Sequence, residues 1–191
     1  MTTLIFATNN KNKVEEIRKV IGNKFDIITL EEAGIDIDIP EPHDTIEENA
    51  AEKSNFIYKL TGKNAFGEDT GLEIEALNNE PGVLSARYAG DEKSHQKNIE
   101  KVLLNLNGVE NRTAQFKTII SLIIDGKQLM FEGICKGKII HEQRGNQGFG
   151  YDPIFVPEGS EKTFAEMNLD EKSVYSHRRK ATDKLIEYLS N

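Results

Sequence analysis

The dipeptide Asp125-Gly126 constrains the fold of this chain more than any other local feature. It is flanked by two β-rich segments, residues 112–124 and 127–140. Asp-Gly between such segments is among the strongest short-range signals for a β-hairpin, because these residues tolerate the positive φ values of a tight two-residue turn. The sequence therefore predicts two long antiparallel strands.

The amino-terminal part of the chain instead alternates short strands with helices. Residues 4–7 form a predicted strand, and Asn9 and Asn10 can cap a helix that stops at Gly22. Further strands are predicted at residues 25–30, 35–39, 72–76 and 154–156, and further helices after Thr45, around residues 99–106 and at 176–189. This mixture predicts an α/β fold with a mixed sheet, flanking helices and two lobes around a central cleft, in a single domain of residues 1–191.

Composition excludes several classes of protein. The net charge of −8 argues against a nucleic-acid polymer as partner, because phosphate backbones are bound through basic surface. The aliphatic run at residues 119–124 is too short to cross a membrane, and the start of the chain lacks the pattern of a signal peptide. A single cysteine, Cys135, excludes an internal disulfide and a multi-cysteine zinc site. A cytoplasmic protein is expected.

The segment Thr8, Asn9, Asn10, Lys11, Asn12 and Lys13 lies where the first strand turns into a helix. A helix start presents backbone N–H groups and the positive end of the helix dipole, and the two lysines add charge. The segment could therefore hold phosphate, although it is neither a Walker loop nor a dinucleotide fingerprint. The alternative is a well-capped surface helix with two solvated lysines.

A second motif, residues 67–72, places Glu68 and Asp69 between glycines at the expected end of a strand. Two carboxylates there suit a hard divalent ion, and Mg²⁺ is preferred to Zn²⁺ because no His or Cys spacing accompanies them. Glu41, between two prolines, is a second possible ligand. The alternative is an acidic turn that uses Asp and Gly for backbone reasons.

A third motif, residues 145–153, places Phe149 between glycines, with Asp152 shortly after it. An aromatic ring in that setting is a platform on which a base can stack, and Asp152 could accept hydrogen bonds from ring N–H groups. The alternative packs Phe149 and Tyr151 into the core.

A fourth motif gathers cationic side chains near the start of the last helix, at residues 172–180. His177 and Arg178 can donate hydrogen bonds to a carbonyl oxygen, and Lys172 can reach phosphate. Cations oppose the helix dipole at this position, and a bound anion would relieve that conflict. The alternative is a solvated, basic helix start.

The four motifs together resemble those of the inosine triphosphate pyrophosphatase family, and the resemblance runs nearly end to end. The shared segments are ATNNKNK at 7–13, ENAAEK at 48–53, GEDTGL at 67–72, PGVLSARYAG at 81–90, GFGYDPIF at 148–155 and EKSVYSHR at 171–178. The order of the last two segments is especially specific. Asn9 stands where the family often has glycine, Thr70 where Ser is common and Ser54 where Ala is usual.

The resemblance implies an elongated α/β fold with an elongated mixed sheet. It also implies a homodimer that releases pyrophosphate from ITP, dITP and XTP with Mg²⁺. It assigns the triphosphate to residues 8–13, Lys53 and Lys172, with Thr70 as a further substrate contact. Asp69 is implied as the catalytic carboxylate and, with Glu41, as a metal ligand. Phe149 would stack on the base, and Gly150 and Tyr151, which follow it in the same segment, would also bind substrate. Asp152, His177 and Arg178 would form hydrogen bonds with the edge of the base.

Three questions stay open at this point. Either Asp69 or Glu68 could orient or deprotonate the attacking water. A pyrophosphatase with another preference, for modified pyrimidine or standard triphosphates, would carry similar motifs, and a non-catalytic nucleotide sensor would use the same pocket. His177 and Arg178 are hydrogen-bond donors, so they favour a purine with a six-oxo group over adenine. Adenine presents an amino donor at that position, and each buried donor left unpaired would cost roughly 1–3 kcal/mol of binding free energy.

Overall fold

The computed structural model describes residues 3–23 and 25–191, and within them a mixed sheet of seven strands is accompanied by five α-helices. The strands are β1 (Thr3–Phe6), β2 (Asp26–Thr29), β3 (Ala65–Ile74), β4 (Pro81–Gly82), β5 (Thr113–Ile124), β6 (Lys127–Ile139) and β7 (Phe155–Pro157). The helices are α1 (Lys11–Ile21), α2 (Ile46–Thr61), α3 (His95–Asn105), α4 (Leu169–Tyr175) and α5 (His177–Ser190). The predicted mixed α/β class is confirmed.

The strand order is β2-β1-β3-β5-β6-β7, with β4 paired to β3. Strand β1 runs parallel to β2 and β3, whereas β3 pairs antiparallel with β4, and β6 with β7. The predicted hairpin is present: β5 and β6 are neighbours joined by Asp125 and Gly126, whose φ angles are 49° and 76°. Positive φ at both positions is what a tight turn between twisted strands requires.

The strand predicted at residues 35–39 is absent. Ile39 is buried and Asp36 and Asp38 are exposed, as the alternation predicted, but the segment joins no sheet. The carbonyl of Ile37 instead accepts a hydrogen bond of 3.1 Å from the Asn9 side chain. Pro40 lacks a backbone N–H, so the segment is also a poor ladder partner beyond Ile39.

The acidic motif lies inside a strand rather than at its end. Strand β3 begins at Ala65, so Glu68 and Asp69 are in its middle, and the prediction of a strand that starts near Leu72 is wrong. The strand stops at Ile74, and a 3₁₀ turn over Glu75–Leu77 follows. The side chains on successive residues of β3 therefore point to opposite faces of the sheet.

The chain forms two compact units, each with its own core. The first contains the residues as far as Asp69, Thr118–Gly133 and Arg178–Asn191; the second contains Thr70–Lys117 and Ile134–His177. Leu4, Phe6 and Phe66 are fully buried in the first core, and Phe155 and Phe164 in the second. The predicted cleft between two lobes stays a prediction. Within residues 3–23 and 25–191, no helix is long and apolar enough to cross a membrane.

Candidate functional site

The start of α1 is capped by its own sequence. The Asn10 side-chain oxygen accepts hydrogen bonds from the backbone N–H groups of Asn12 and Lys13, at 3.0 and 3.2 Å. Thr8 supports the cap, because its Oγ1 accepts from the Asn10 N–H at 3.2 Å. Two of the amides expected to face phosphate are thus bonded to Asn10. Lys11 and Asn12 are exposed, while the Lys13 side chain is 14% exposed.

Helix α2 lies directly against β3, and Gly67 makes this contact possible. A Cβ atom at Gly67 would lie 2.6 Å from the Ala50 carbonyl oxygen and 2.6 Å from Lys53 Cβ. Real Cβ atoms do not come that close to backbone, so only glycine fits without a shift of the helix. Gly67, the first of the two glycines that flank the acidic pair, thus lets a helix approach the strand.

This contact places Lys53 against the acidic motif. The Lys53 ammonium lies 2.9 Å from Asp69 Oδ1 and 3.2 Å from the Glu68 carbonyl oxygen, and it also contacts the Glu41 carboxylate. Burial lowers the pKa of Lys53, but the Asp69 and Glu41 carboxylates outweigh it and raise the pKa above its ordinary value. Lys53 is therefore a fixed cation between two carboxylates.

Glu68, on the other side of β3, neutralises two further cations. Its carboxylate is fully buried, accepts from Arg178 Nη2 and Nε at 3.2 and 3.3 Å, and lies 3.4 Å from the Lys13 ammonium. Arg178 also contacts Glu16. Burial alone would lower the pKa of Arg178, but the Glu68 and Glu16 carboxylates outweigh it and raise that pKa. For Lys13, burial is the larger effect and lowers the pKa. We call these seven side chains the charged cluster: Lys13, Glu16, Glu41, Lys53, Glu68, Asp69 and Arg178.

The charged cluster offers two carboxylates for a hard cation. Glu41 and Asp69 both contact the Lys53 ammonium, so their carboxylates lie close together around that cation. No group of three His, Cys, Asp or Glu residues suited to a metal occurs in the part of the chain that the structure describes. Mg²⁺ is commonly held by only one or two carboxylates together with water and substrate phosphates, so the pair fits a substrate-associated ion and not a permanent metal cage.

The aromatic motif forms a separate arrangement in the second unit. Asp152 Oδ2 accepts from the Phe149 N–H at 3.0 Å and lies 2.7 Å from the Lys172 ammonium, which sits 5.2 Å from the centroid of the Phe149 ring. Gly148 has a φ of 73°, and a Cβ there would lie 2.0 Å from Asp152 Oδ2. Phe149 is only half-buried. We call Phe149, Asp152 and Lys172 the ring cluster.

Tyr151 does not share the exposure of Phe149. It is 4% exposed, belongs to the core of the second unit and donates from its hydroxyl to the Ser85 carbonyl at 2.8 Å. Tyr151 therefore packs into the core, whereas Phe149 leaves part of its ring exposed, as a stacking platform requires. Tyr151 anchors the loop from below.

His177 is buried among aromatic rings. It stacks on Phe116, with ring centroids 4.7 Å apart and planes inclined by 17°, and lies 6.3 Å from the Phe164 ring. Phe164 is also 5.3 Å from the Lys172 ammonium, so it lies beside both residues. Thr70 is half-buried in β3 at the first position of the second unit. Arg178, adjacent to His177 in sequence, belongs to the charged cluster of the first unit.

Comparison with known proteins decides the family. The model of the Ham1 family matches residues 4–188. The chain belongs to the Ham1 family. A Ham1 relative from Flavobacterium psychrophilum, a dITP/XTP pyrophosphatase, is 50% identical over 188 residues, which cover 98% of this chain and 99% of that protein. The dITP/XTP pyrophosphatase of Bacillus subtilis is 42% identical over 193 residues, with coverage of 99% and 98%.

Solved structures agree with the Ham1 assignment. The Ham1 protein of Staphylococcus aureus superposes with a TM-score of 0.90 at 38% identity, covering 99% of this chain and 98% of that one. A HAM1 protein from Coxiella burnetii gives a TM-score of 0.91 at 36% identity, with coverage of 100% and 99%. The family predicted from the motifs is confirmed.

Sequence reasoning missed two polar residues of this Ham1 chain that touch the predicted site. Glu16 contacts Arg178, and His95 accepts a hydrogen bond of 3.4 Å from the Gly150 N–H. Glu16 reads as an ordinary solvated residue of an amphipathic helix, and His95 as a surface residue near a helix start. Neither carries a local signal, because only the tertiary fold brings it to its partner.

Proposed function

We propose that this protein hydrolyses deaminated purine nucleoside triphosphates (dITP, ITP and XTP) to the monophosphate and pyrophosphate. The observation that carries the proposal is the convergence of Asp69, Glu41 and the Lys53 ammonium within the charged cluster. Hydrolysis of the α–β anhydride needs little covalent help from the protein, but it needs positioned cations and a water-orienting group. Relatives that are dITP/XTP pyrophosphatases support the same substrate class.

The charged cluster supplies cations for the polyphosphate. Lys53 is held at Asp69, and Lys13 at Glu68, so both ammonium groups are fixed before substrate arrives. The exposed Lys11 and the capped start of α1 extend positive potential from the same segment. A fixed cation stabilises charge developing on a leaving pyrophosphate without reorganisation at the moment of reaction.

Asp69 and Glu41 are the proposed ligands of Mg²⁺. When bound, the ion would draw charge from the phosphate oxygens and so favour departure of pyrophosphate. Asp69 is also the better candidate to orient the attacking water, because Glu68 is fully buried and bonded to Arg178 and Lys13. The proton released by water would pass to the Asp69 carboxylate or to solvent as the α–β bond breaks.

The ring cluster is the proposed recognition site for the base. Phe149 offers a half-exposed face for stacking, which contributes roughly 1–3 kcal/mol for each base. The resemblance assigns Lys172 to the triphosphate, whereas its contact with Asp152 and Phe149 favours a role at the base. His177 and Arg178 keep their proposed role as donors to a six-oxo group, and Arg178 would do so from a position fixed by Glu68 and Glu16.

The experiment that tests the function is a substrate panel followed by pyrophosphate release in Mg²⁺. Rates for dITP, ITP and XTP far above those for dGTP, dATP and dTTP would support the proposal. Equal or higher rates for a standard or pyrimidine triphosphate would establish the rival preference. Binding of ITP without release of pyrophosphate would establish a sensor.

The family resemblance also leads us to propose a homodimer in the cytoplasm, acting on a small-molecule nucleotide and on no nucleic-acid polymer or membrane. Light scattering after size exclusion tests the assembly directly. A mass twice that of the 21.5 kDa chain is expected, and a monomer at micromolar concentration would contradict it.

A further inference from the structure

We infer that His95 is a positioning residue that holds the Phe149 platform in the orientation that stacks on the base. This inference rests on the proposed function of the ring cluster and concerns a residue to which neither the motifs nor the resemblance gives a role. It acts on the loop that carries Phe149, and through that loop on affinity for the base. All the residues involved belong to the second unit.

The loop that carries Phe149 is rich in glycine, so its order depends on contacts with other residues. Gly148 and Gly150 flank the ring, with φ angles of 73° and 61°. A glycine has more accessible conformations than any other residue, so ordering this loop costs more conformational entropy than ordering an ordinary loop. At Gly150 the space around a Cβ would be open, so packing does not fix this position.

His95 restrains that open side of the loop in two ways. Its Nδ1 accepts a hydrogen bond of 3.4 Å from the Gly150 N–H. Its ring also lies 6.3 Å from the Phe149 ring, centroid to centroid, with the planes inclined by 42°. This separation and tilt are within the range of favourable contacts between flat rings. A single side chain therefore touches both the platform and the backbone next to it.

His95 is itself held in place by a rigid support. It is the first residue of α3, and Ser94 caps that helix. Three residues on, the buried Asn98 side chain donates to the Ala86 carbonyl at 3.0 Å and accepts from the Ala89 N–H at 2.7 Å. This fixes the first turn of α3 against residues 86–89, in the PGVLSARYAG motif. The Tyr151 hydroxyl donates to the Ser85 carbonyl in the same motif. The motif therefore supports the loop both directly, through Tyr151, and through α3 and His95.

The decisive variant is His95→Ala, compared with His95→Asn. Alanine removes the acceptor and the ring, so the KM for dITP should rise about threefold to tenfold, the loss expected for one ordinary hydrogen bond, with kcat within about twofold of the wild type. Asparagine can place its side-chain oxygen near the position of Nδ1 and should recover most of the affinity. Gln96→Ala, an exposed neighbour on the same helix, is the matched control and should leave KM unchanged.

Two further measurements separate a local role from a general one. Inhibition by inorganic tripolyphosphate, which has no base, should be the same in His95→Ala and wild type. Amide hydrogen exchange at Gly150 should be faster in His95→Ala and restored in His95→Asn, and this readout does not need turnover. An unchanged KM in His95→Ala, or an equal weakening of tripolyphosphate, would overturn the inference. Failure of wild type to hydrolyse dITP would instead refute the proposed function, and the exchange experiment would still test the restraint by His95.

Discussion

Glu68 is predicted to be a structural counter-ion, and Glu68→Gln tests this role. The carboxylate is fully buried and pairs with two cations. It accepts hydrogen bonds of 3.2 and 3.3 Å from Arg178, and it lies 3.4 Å from the Lys13 ammonium. Glutamine keeps the shape and one acceptor but removes the charge, which leaves Arg178 with Glu16 alone. Breaking a buried ion pair by removing one partner costs about 3–5 kcal/mol, and the retained acceptor places our expectation near 3 kcal/mol.

The assay is urea unfolding together with a thermal melt. For a chain of this size, a loss of about 3 kcal/mol corresponds to a fall in Tm of roughly 6–12 °C. The matched control is Asp183→Asn, which breaks the exposed Arg179–Asp183 pair and should cost less than about 0.5 kcal/mol. A Glu68→Gln protein within about 0.5 kcal/mol of wild type would refute the reasoning, since it would mean that Arg178 and Lys13 need no buried partner.

Three further predictions concern the supports of the site. Gly67→Ala should move α2 away by about 0.8 Å, because the 2.6 Å contact must lengthen to an ordinary one. Lys53 would move with the helix, so kcat for pyrophosphate release should fall on the order of tenfold or more, and an unaltered kcat would contradict this. Tyr151→Phe removes the bond to Ser85 and should cost about 1 kcal/mol in urea unfolding, whereas no change would show that this anchor is dispensable. Chelation should abolish pyrophosphate release and added Mg²⁺ should restore it, and full activity in excess chelator would exclude the proposed ion.

Local signals in the sequence predicted the features that local chemistry decides. Asp125-Gly126 places two residues tolerant of positive φ between β-rich arms, and the hairpin follows. Asn10 caps α1 and Thr45 caps α2, each by a side-chain oxygen two or three residues before the amides that it accepts from. These features depend on neighbours along the chain, so no tertiary information was needed.

The features decided by tertiary contact were not predictable in this way. Alternation at residues 35–39 does report burial, but a strand also needs a neighbour, and the Asn9 side chain takes the Ile37 carbonyl instead. Glu68 and Asp69 look like turn residues, yet they lie within a buried strand because Lys53 and Arg178 neutralise them. The partners are 16 and 110 residues away, and a single sequence does not reveal such pairings.

Pyrophosphate release from dITP by Asp69→Asn tests whether the Asp69 carboxylate acts at the reacting phosphate. Asparagine keeps the size of the side chain, and Lys53 retains its contact with Glu41, so the protein should fold, with a fall in Tm no larger than that of Glu68→Gln. We expect kcat to fall by about 100-fold or more, because a positioned charged group at the reacting phosphate is lost. A folded Asp69→Asn protein that turns over dITP within about twofold of the wild-type rate would contradict it.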